Sequence, residues 1–337
     1  MLIYARPDFG NSNESESSYG NFWAYCYWLF NSSNTNNPVP NAFFWASYDF
    51  MYGSNRASSR TGKSSVAGGD TSHCTIDAHT FIHEMGHVFG LNDYYDYSNH
   101  SYSPAGGFSM QDYNVAGHDP YSSFALGWGK AYIPTQTITI KVKPFATTGE
   151  MIILSPSWNE FNSPFDEYLI LEYYTPTGLN QFDTTYRYSG NYPQGSSQSG
   201  IRLWHVDARL LYKSGDYSSW SASKVTTNPS IANNKVNFMM SNTYYDYSTT
   251  GRISPLGSSY ANYNELQLIR NNKTISHQTT SKFSSADLFK KGNSFALETY
   301  NSQFVKNNVL NDGRSLGFTF SVSDISSEYA TIDIVKL

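Results

Sequence analysis

Residues 80–93 read TFIHEMGHVFGLND and contain His83, Glu84, His87, Gly90 and Asp93, the pattern H-E-x-x-H-x-x-G-x-x-D. The spacing predicts a helix over roughly 76–90, and residues four apart on a helix share one face. His83 and His87 therefore present two imidazoles side by side. Such a pair supplies two of the three protein ligands of a catalytic zinc, whose fourth position stays open to water. Glu84 projects to the flank of that site. From there it can take a proton from the water without using a coordination position.

The third ligand depends on Gly90. Glycine accepts positive φ and commonly closes a helix, so the chain reverses just after Phe89. Asp93 then swings back towards the imidazoles, and a carboxylate oxygen is an accepted zinc ligand at ~2.0–2.2 Å. His79, four residues before His83, shares nearly the same face. Ligands at 79, 83 and 87 on one straight helix would span about 12 Å, too far to converge on one ion. His79 is accordingly read as a supporting or structural residue. Were Asp93 not the third ligand, His79, Asp96 and His118 would be the alternatives. A purely structural zinc is disfavoured, because such sites close four protein ligands, often with cysteine.

Composition narrows the setting. The chain has 337 residues, 39% hydrophobic and only 15% charged, with 28 tyrosines and a net charge of −5. This length suggests two domains or one large one. A tyrosine-rich surface of low charge suits an extracellular protein that meets peptides or polymers. The acidic balance and the absence of a Lys/Arg cluster argue against nucleic acid, and no apolar run approaches a membrane span. The start, MLIYARPDFG, lacks the basic and apolar regions of a signal peptide. A lost signal peptide and propeptide are therefore expected. Cys26 and Cys74 either form one bridge or remain free, and neither lies in a Cys-x-x-Cys spacing.

Along the chain, residues 2–5 read as a strand, 22–30 as an aromatic core segment of ambiguous type, and 41–52 as a strand. Residues 53–71 are a Ser/Gly/Arg loop. The loop after the helix is rich in oxygen donors, and Asp96 or Asn99 makes calcium a second candidate ion, although the ordered calcium-loop spacing is missing. From about residue 133 the pattern changes to short β segments: 136–143, 150–154, 167–174, 200–210, 235–240, 264–270, 317–323 and 329–336. Turn-rich stretches separate them, as in a β-sandwich. His205 and Asp207, two apart on one such strand, face the same side and are candidates to bond each other.

HEMGHVFGLNDYYD (83–96), GGFSMQDYN (106–114) and YSSFALGWGKAY (121–132) together resemble the immune inhibitor A-type metallopeptidases of bacteria, secreted zinc endopeptidases related to the metzincins. The resemblance covers roughly 80–210 well and the rest weakly. It implies zinc on His83, His87 and Asp93, Glu84 as general base, and a tight turn under the metal at Met110. The extended zincin pattern usually has histidine where Asp93 stands. In some metzincins a tyrosine two residues after that methionine approaches the zinc; here that position is Asp112, and Tyr113 follows it. Tyr113 is carried as a candidate oxyanion stabiliser. His118 is a weaker candidate for substrate contact.

The expected architecture is α+β, with an N-terminally truncated zincin-like (metzincin-type) peptidase domain over 1–133 and a β-sandwich-like domain over 134–337. The expected activity is that of a secreted, monomeric zinc endopeptidase acting on protein or peptide substrates. The competing expectation is a tyrosine-rich binding module for a glycan or host protein that carries an inactive metal site. Retention of Glu84 speaks for the enzyme.

Overall fold

The computed structural model describes residues 24–28, 42–46, 78–96, 102–186, 192–214, 224–229, 235–238, 242 and 263–337. The strand expected over 2–5, the loop over 53–71, Cys74 and Asn99 lie outside the described residues. Strands β1 (Tyr25–Trp28) and β2 (Ala42–Trp45) form an antiparallel pair, so residues 25–28 of the ambiguous aromatic segment are strand. Cys26 in β1 is a free cysteine. Next come helices α1 (His79–Val88), α2 (Met110–Tyr113) and α3 (Pro120–Ala125), with Asp119 capping α3 through Ser122 N–H. No helix among the described residues is long and apolar enough to cross a membrane.

The described remainder is built on three sheets. Strands β3 (Lys130–Tyr132), β4 (Ile138–Val142), β5 (Glu150–Leu154), β6 (Glu167–Tyr174) and β7 (Gly200–Asp207) follow in sequence. They are joined by β8 (Leu210–Ser214), β9 (Lys224–Thr226), β10 (Lys235–Phe238) and β11 (Leu266–Ile269). The last strands are β12 (Ser294–Phe295), β13 (Phe318–Ile325) and β14 (Ala330–Lys336). The central sheet has the order β11-β7-β6-β5-β3, a second sheet the order β12-β13-β14-β4, and a small third sheet the order β10-β8-β9.

Every residue of β5, β6 and β7 is buried, because the central sheet is covered on both faces. One set of alternating side chains, including Leu169, Leu171, Tyr173, Ile201 and Leu203, packs with Phe320, Ile332 and Ile334 of the second sheet. The other set, including Tyr168, Ile170, Trp204, Val206 and Leu268, packs with Tyr94, Phe108, Val115 and Tyr121 from the region around α1–α3. Strict period-two alternation divides each strand between two cores. Each fully buried Leu or Ile contributes roughly 1.5–3 kcal/mol.

The change of pattern at 133 is crossed in two ways. Strand β3 precedes it yet pairs in parallel with β5, Lys130 opposite Glu150. The second core also draws on residues from both sides of it. Three residues of partly exposed strand carry no alternation long enough to read. His205 and Asp207 do share a face, but they do not bond each other. His205 Nε2 lies 2.8 Å from Glu167 Oε1, and Asp207 takes a two-point ion pair from Arg209 at 2.7 Å.

Buried polar bonds tie the α1–α3 region to the sheets. Tyr121 Oη donates to Glu265 Oε1 at 2.9 Å and Asn92 Nδ2 to Glu265 Oε2 at 2.8 Å. Complete burial raises the Glu265 carboxyl to about 8, against the pull of those two donors. The folded state thus holds a proton that the unfolded chain releases near its ordinary value of 4.5. Its contribution to stability is complete below that value and is lost as the pH rises towards about 8. An amide in the same place donates to Tyr121 and accepts from Asn92. Glu265→Gln is therefore expected to be the more stable protein at pH ~8, by on the order of 2 kcal/mol. The difference should narrow at pH ~5, where the acid is itself neutral. Denaturant unfolding at both pH values checks this, and equal differences at the two would contradict it.

Candidate metal centre

Helix α1 ends as the glycine demands. Gly90 has φ +96°, and no atom lies within 4 Å of where its Cβ would be, so only backbone conformation selects glycine. Gly90 N–H donates to His87 O at 2.9 Å, and Leu91 N–H to Gly86 O at 3.1 Å. These two bonds form a Schellman motif, which satisfies carbonyls that a helix end leaves free. The reversal also aims Leu91 O at His87 and returns Asp93 to the histidine face.

His83 Nδ1 donates to Met110 O at 2.8 Å, and His87 Nδ1 donates to Leu91 O at 2.7 Å. A neutral imidazole has one N–H, so each Nε2 is left with a lone pair. Those nitrogens lie 3.0 Å apart, and Asp93 Oδ1 lies 3.0 Å from one and 3.3 Å from the other. Asp93 Oδ1 is buried with no hydrogen-bond partner. In this tautomer three lone pairs converge, and only a positive charge between them removes the repulsion. A tetrahedral ion with bonds of about 2.0–2.1 Å separates its donor atoms by roughly 3.3 Å. The donor set thus fits zinc in both chemistry and spacing. Among the described residues, this is the one group of three or more His, Cys, Asp or Glu side chains arranged to hold a metal ion. Asp96, the expected calcium candidate, is outside it.

Charge at the site follows the same logic. Burial works to lower His87, but Asp93, the Leu91 carbonyl and Glu84 together raise it. Burial works to raise Asp93, and the two imidazoles outweigh it and bring the carboxyl down to about 2. A proton on an imidazole thus serves the carboxylate where a cation does not. Glu84, 6% exposed, keeps Oε2 buried and without a partner. Burial raises Glu84 to about 7, the two imidazoles lower it and Asp93 raises it.

The other candidates lie around this cluster. His79 Nε2 is 3.1 Å from Asp183 Oδ2, so it joins α1 to the later chain and stays out of the donor set. Met110 is buried, and its carbonyl orients His83 while its thioether serves no donor role. Tyr113 packs its ring on Tyr95 and Tyr192, with Lys282 Nζ 3.7 Å over its face. The tyrosine bonded to Asp93 is instead Tyr95, which also feels the charge of Glu84. Sequence reasoning missed it because YY at 94–95 offers two equivalent rings, one destined for the core. His118 stacks near Trp128 at 5.5 Å with its Nδ1 buried and unpaired, and burial lowers its pKa.

The chain matches no protein-family model, no curated protein and no solved structure. Two imidazoles and one carboxylate form a donor set that could hold a metal ion, with the unpaired Glu84 Oε2 buried nearby.

Gly86 lets α1 approach α2. A Cβ there would sit 2.3 Å from Gln111 Oε1 and 2.7 Å from Gln111 Cδ, and Gln111 is fully buried. Gly86→Ala is expected to cost roughly 1–3 kcal/mol by overpacking. The double variant with Gln111→Ala should recover part of that loss. Unfolding curves test this, and a Gly86→Ala protein as stable as wild type would refute the close approach.

Proposed function

We propose that the protein is a zinc endopeptidase that hydrolyses peptide bonds with metal-activated water, His83, His87 and Asp93 holding the ion. The observation that carries this reading is the meeting of three lone-pair donors beside the unpaired Oε2 of Glu84. A zinc ion held there supplies Lewis acidity towards a carbonyl oxygen and brings the pKa of its bound water to about 7. Glu84 is then the group that receives a proton at Oε2 and returns it to the leaving amine. The carbonyls of Met110 and Leu91 hold the two imidazoles in the ligating tautomer, as outer partners of zinc histidines do.

Tyr95 supports the Asp93 carboxylate through its hydrogen bond, and we assign it the place next to the metal ligand. Tyr113, whose ring packs on Tyr95, remains the proposed oxyanion stabiliser. The resemblance of 83–96 and 106–114 to immune inhibitor A-type metallopeptidases agrees with the reading, and extends it to a secreted enzyme with protein or peptide substrates.

Metal content by plasma mass spectrometry, with peptidase activity in parallel, tests the proposal. Wild type and Glu84→Gln are expected to carry one zinc each, with activity in the amide variant down at least about 100-fold. Asp93→Ala should lose zinc and activity together. Full activity in a zinc-loaded Glu84→Gln protein would overturn the mechanism. Tyr95→Phe is expected to keep the fold and weaken zinc affinity by about 10-fold or more, as read by competition with a chromogenic chelator. Unchanged affinity would remove Tyr95 from its assigned role.

A further inference from the structure

A cleft of about 730 Å³ opens where the ends of β6 and β7 meet the 155–163 loop. Its size falls in the range of ~300–1,000 Å³ usual for small-molecule sites. It shares no residue with the His83, Glu84, His87 and Asp93 group, so an inference about it stands apart from the peptidase reading.

The two arginines lining the cleft are already paired with carboxylates. Arg314 Nη2 donates to Asp166 Oδ1 at 2.6 Å, Arg314 Nε to Asp312 Oδ2 at 2.5 Å, and Nη1 to Ser157 O at 3.2 Å. Arg209 is held by the two oxygens of Asp207. The guanidinium of Arg314 takes the place between Asp166 and Asp312 that a metal ion would need. An anion finds no unpaired cation among the lining groups. The lining, which also carries Glu160, therefore disfavours an anionic ligand.

Asp166 indicates which kind of polar group. It is 1% exposed, and its Oδ1 accepts from Glu167 N–H at 2.8 Å as well as from Arg314. Its Oδ2 is buried and meets no protein donor. A buried acceptor without a partner is unfavourable, and Asp166 lines the cleft, so the complementary group is a donor, such as a hydroxyl. Asn159 and Asn228 add further polar groups to the lining.

The walls add flat apolar surface. Trp158 packs 5.7 Å from both Phe124 and Tyr168, and its Nε1 donates to Asn162 Oδ1 at 3.0 Å. Phe161 lies on the lining with 38% of its surface exposed. The loop that carries both rings is braced by Asn159, whose Oδ1 accepts from Phe161 and Ser163 N–H at 3.1 and 3.2 Å. A braced loop loses little conformational freedom on binding. Aromatic faces beside a few placed polar groups suit a ligand that has an apolar ring face and a rim of hydroxyls.

We propose that this cleft, with Asp166 at its base and Phe161 and Trp158 on its walls, is a binding site for a neutral oligosaccharide. Saturation-transfer NMR and calorimetry on the full chain would use chitohexaose, cellohexaose, xylohexaose and mannohexaose as probes, with a blocked Ala/Ser hexapeptide beside them. At least one saccharide is expected to bind. Phe161→Ala, a change at an exposed position, and Asp166→Asn should each weaken it by about 10-fold or more, a loss of roughly 1.4 kcal/mol. The thermal midpoint of Phe161→Ala should match wild type, which separates lost contact from lost fold. The proposal is overturned if no saccharide binds, if binding is equal in wild type and Phe161→Ala, or if the hexapeptide alone binds.

Discussion

The structure depends on a central sheet buried on both faces. Every residue of β6 and β7 is shielded from water, so every charged side chain those strands carry must find its counterpart inside the protein. Glu172 is matched by Arg202 in a two-point pair and also accepts from Trp204 Nε1. Glu167 meets His205 and the N–H groups of Asn311 and Asp312. Asp207 meets Arg209 and Asn311. Breaking one member of such a pair leaves an uncompensated buried charge, which is far costlier than replacing both. These pairs therefore constrain register and partner choice more than they add to net stability.

That constraint also places the metal centre. The α1–α3 region reaches the sheet through Tyr94, Phe108 and Tyr121, and Glu265 of the loop before β11 accepts from both Tyr121 and Asn92. Asn92 directly precedes Asp93. The third donor is thus held from behind by the same buried joint that seats the domain core. Outer partners of this kind orient ligands and limit their freedom before any ion binds. The proposed oligosaccharide cleft is lined in part by Arg209, which Asp207 of β7 holds.

Part of this was legible in the residues because it is local. The 3.6-residue period puts His83 and His87 on one face, and glycine's tolerance of positive φ explains the reversal at Gly90. Strands β5 and β6 have the bounds that their runs of apolar residues indicate. Short segments fared worse. Strand β3 is three residues long and finds its parallel partner only across a connection containing β4 and a further turn of helix at Phe145–Thr148.

The sequence by itself determined the spacing of the two imidazoles, the glutamate beside them, the glycine that ends the helix and the alternation of the strands. All of these follow from backbone geometry over fewer than ten residues. Tertiary structure decided that Tyr95 bonds Asp93, that His205 pairs with Glu167 rather than Asp207, and that Asp166, on the lining of a cleft, keeps one buried oxygen unpaired. Those outcomes depend on which distant groups burial brings together. A side chain's partner is set by the competition to satisfy every buried charge and donor at once, and no local pattern carries that information.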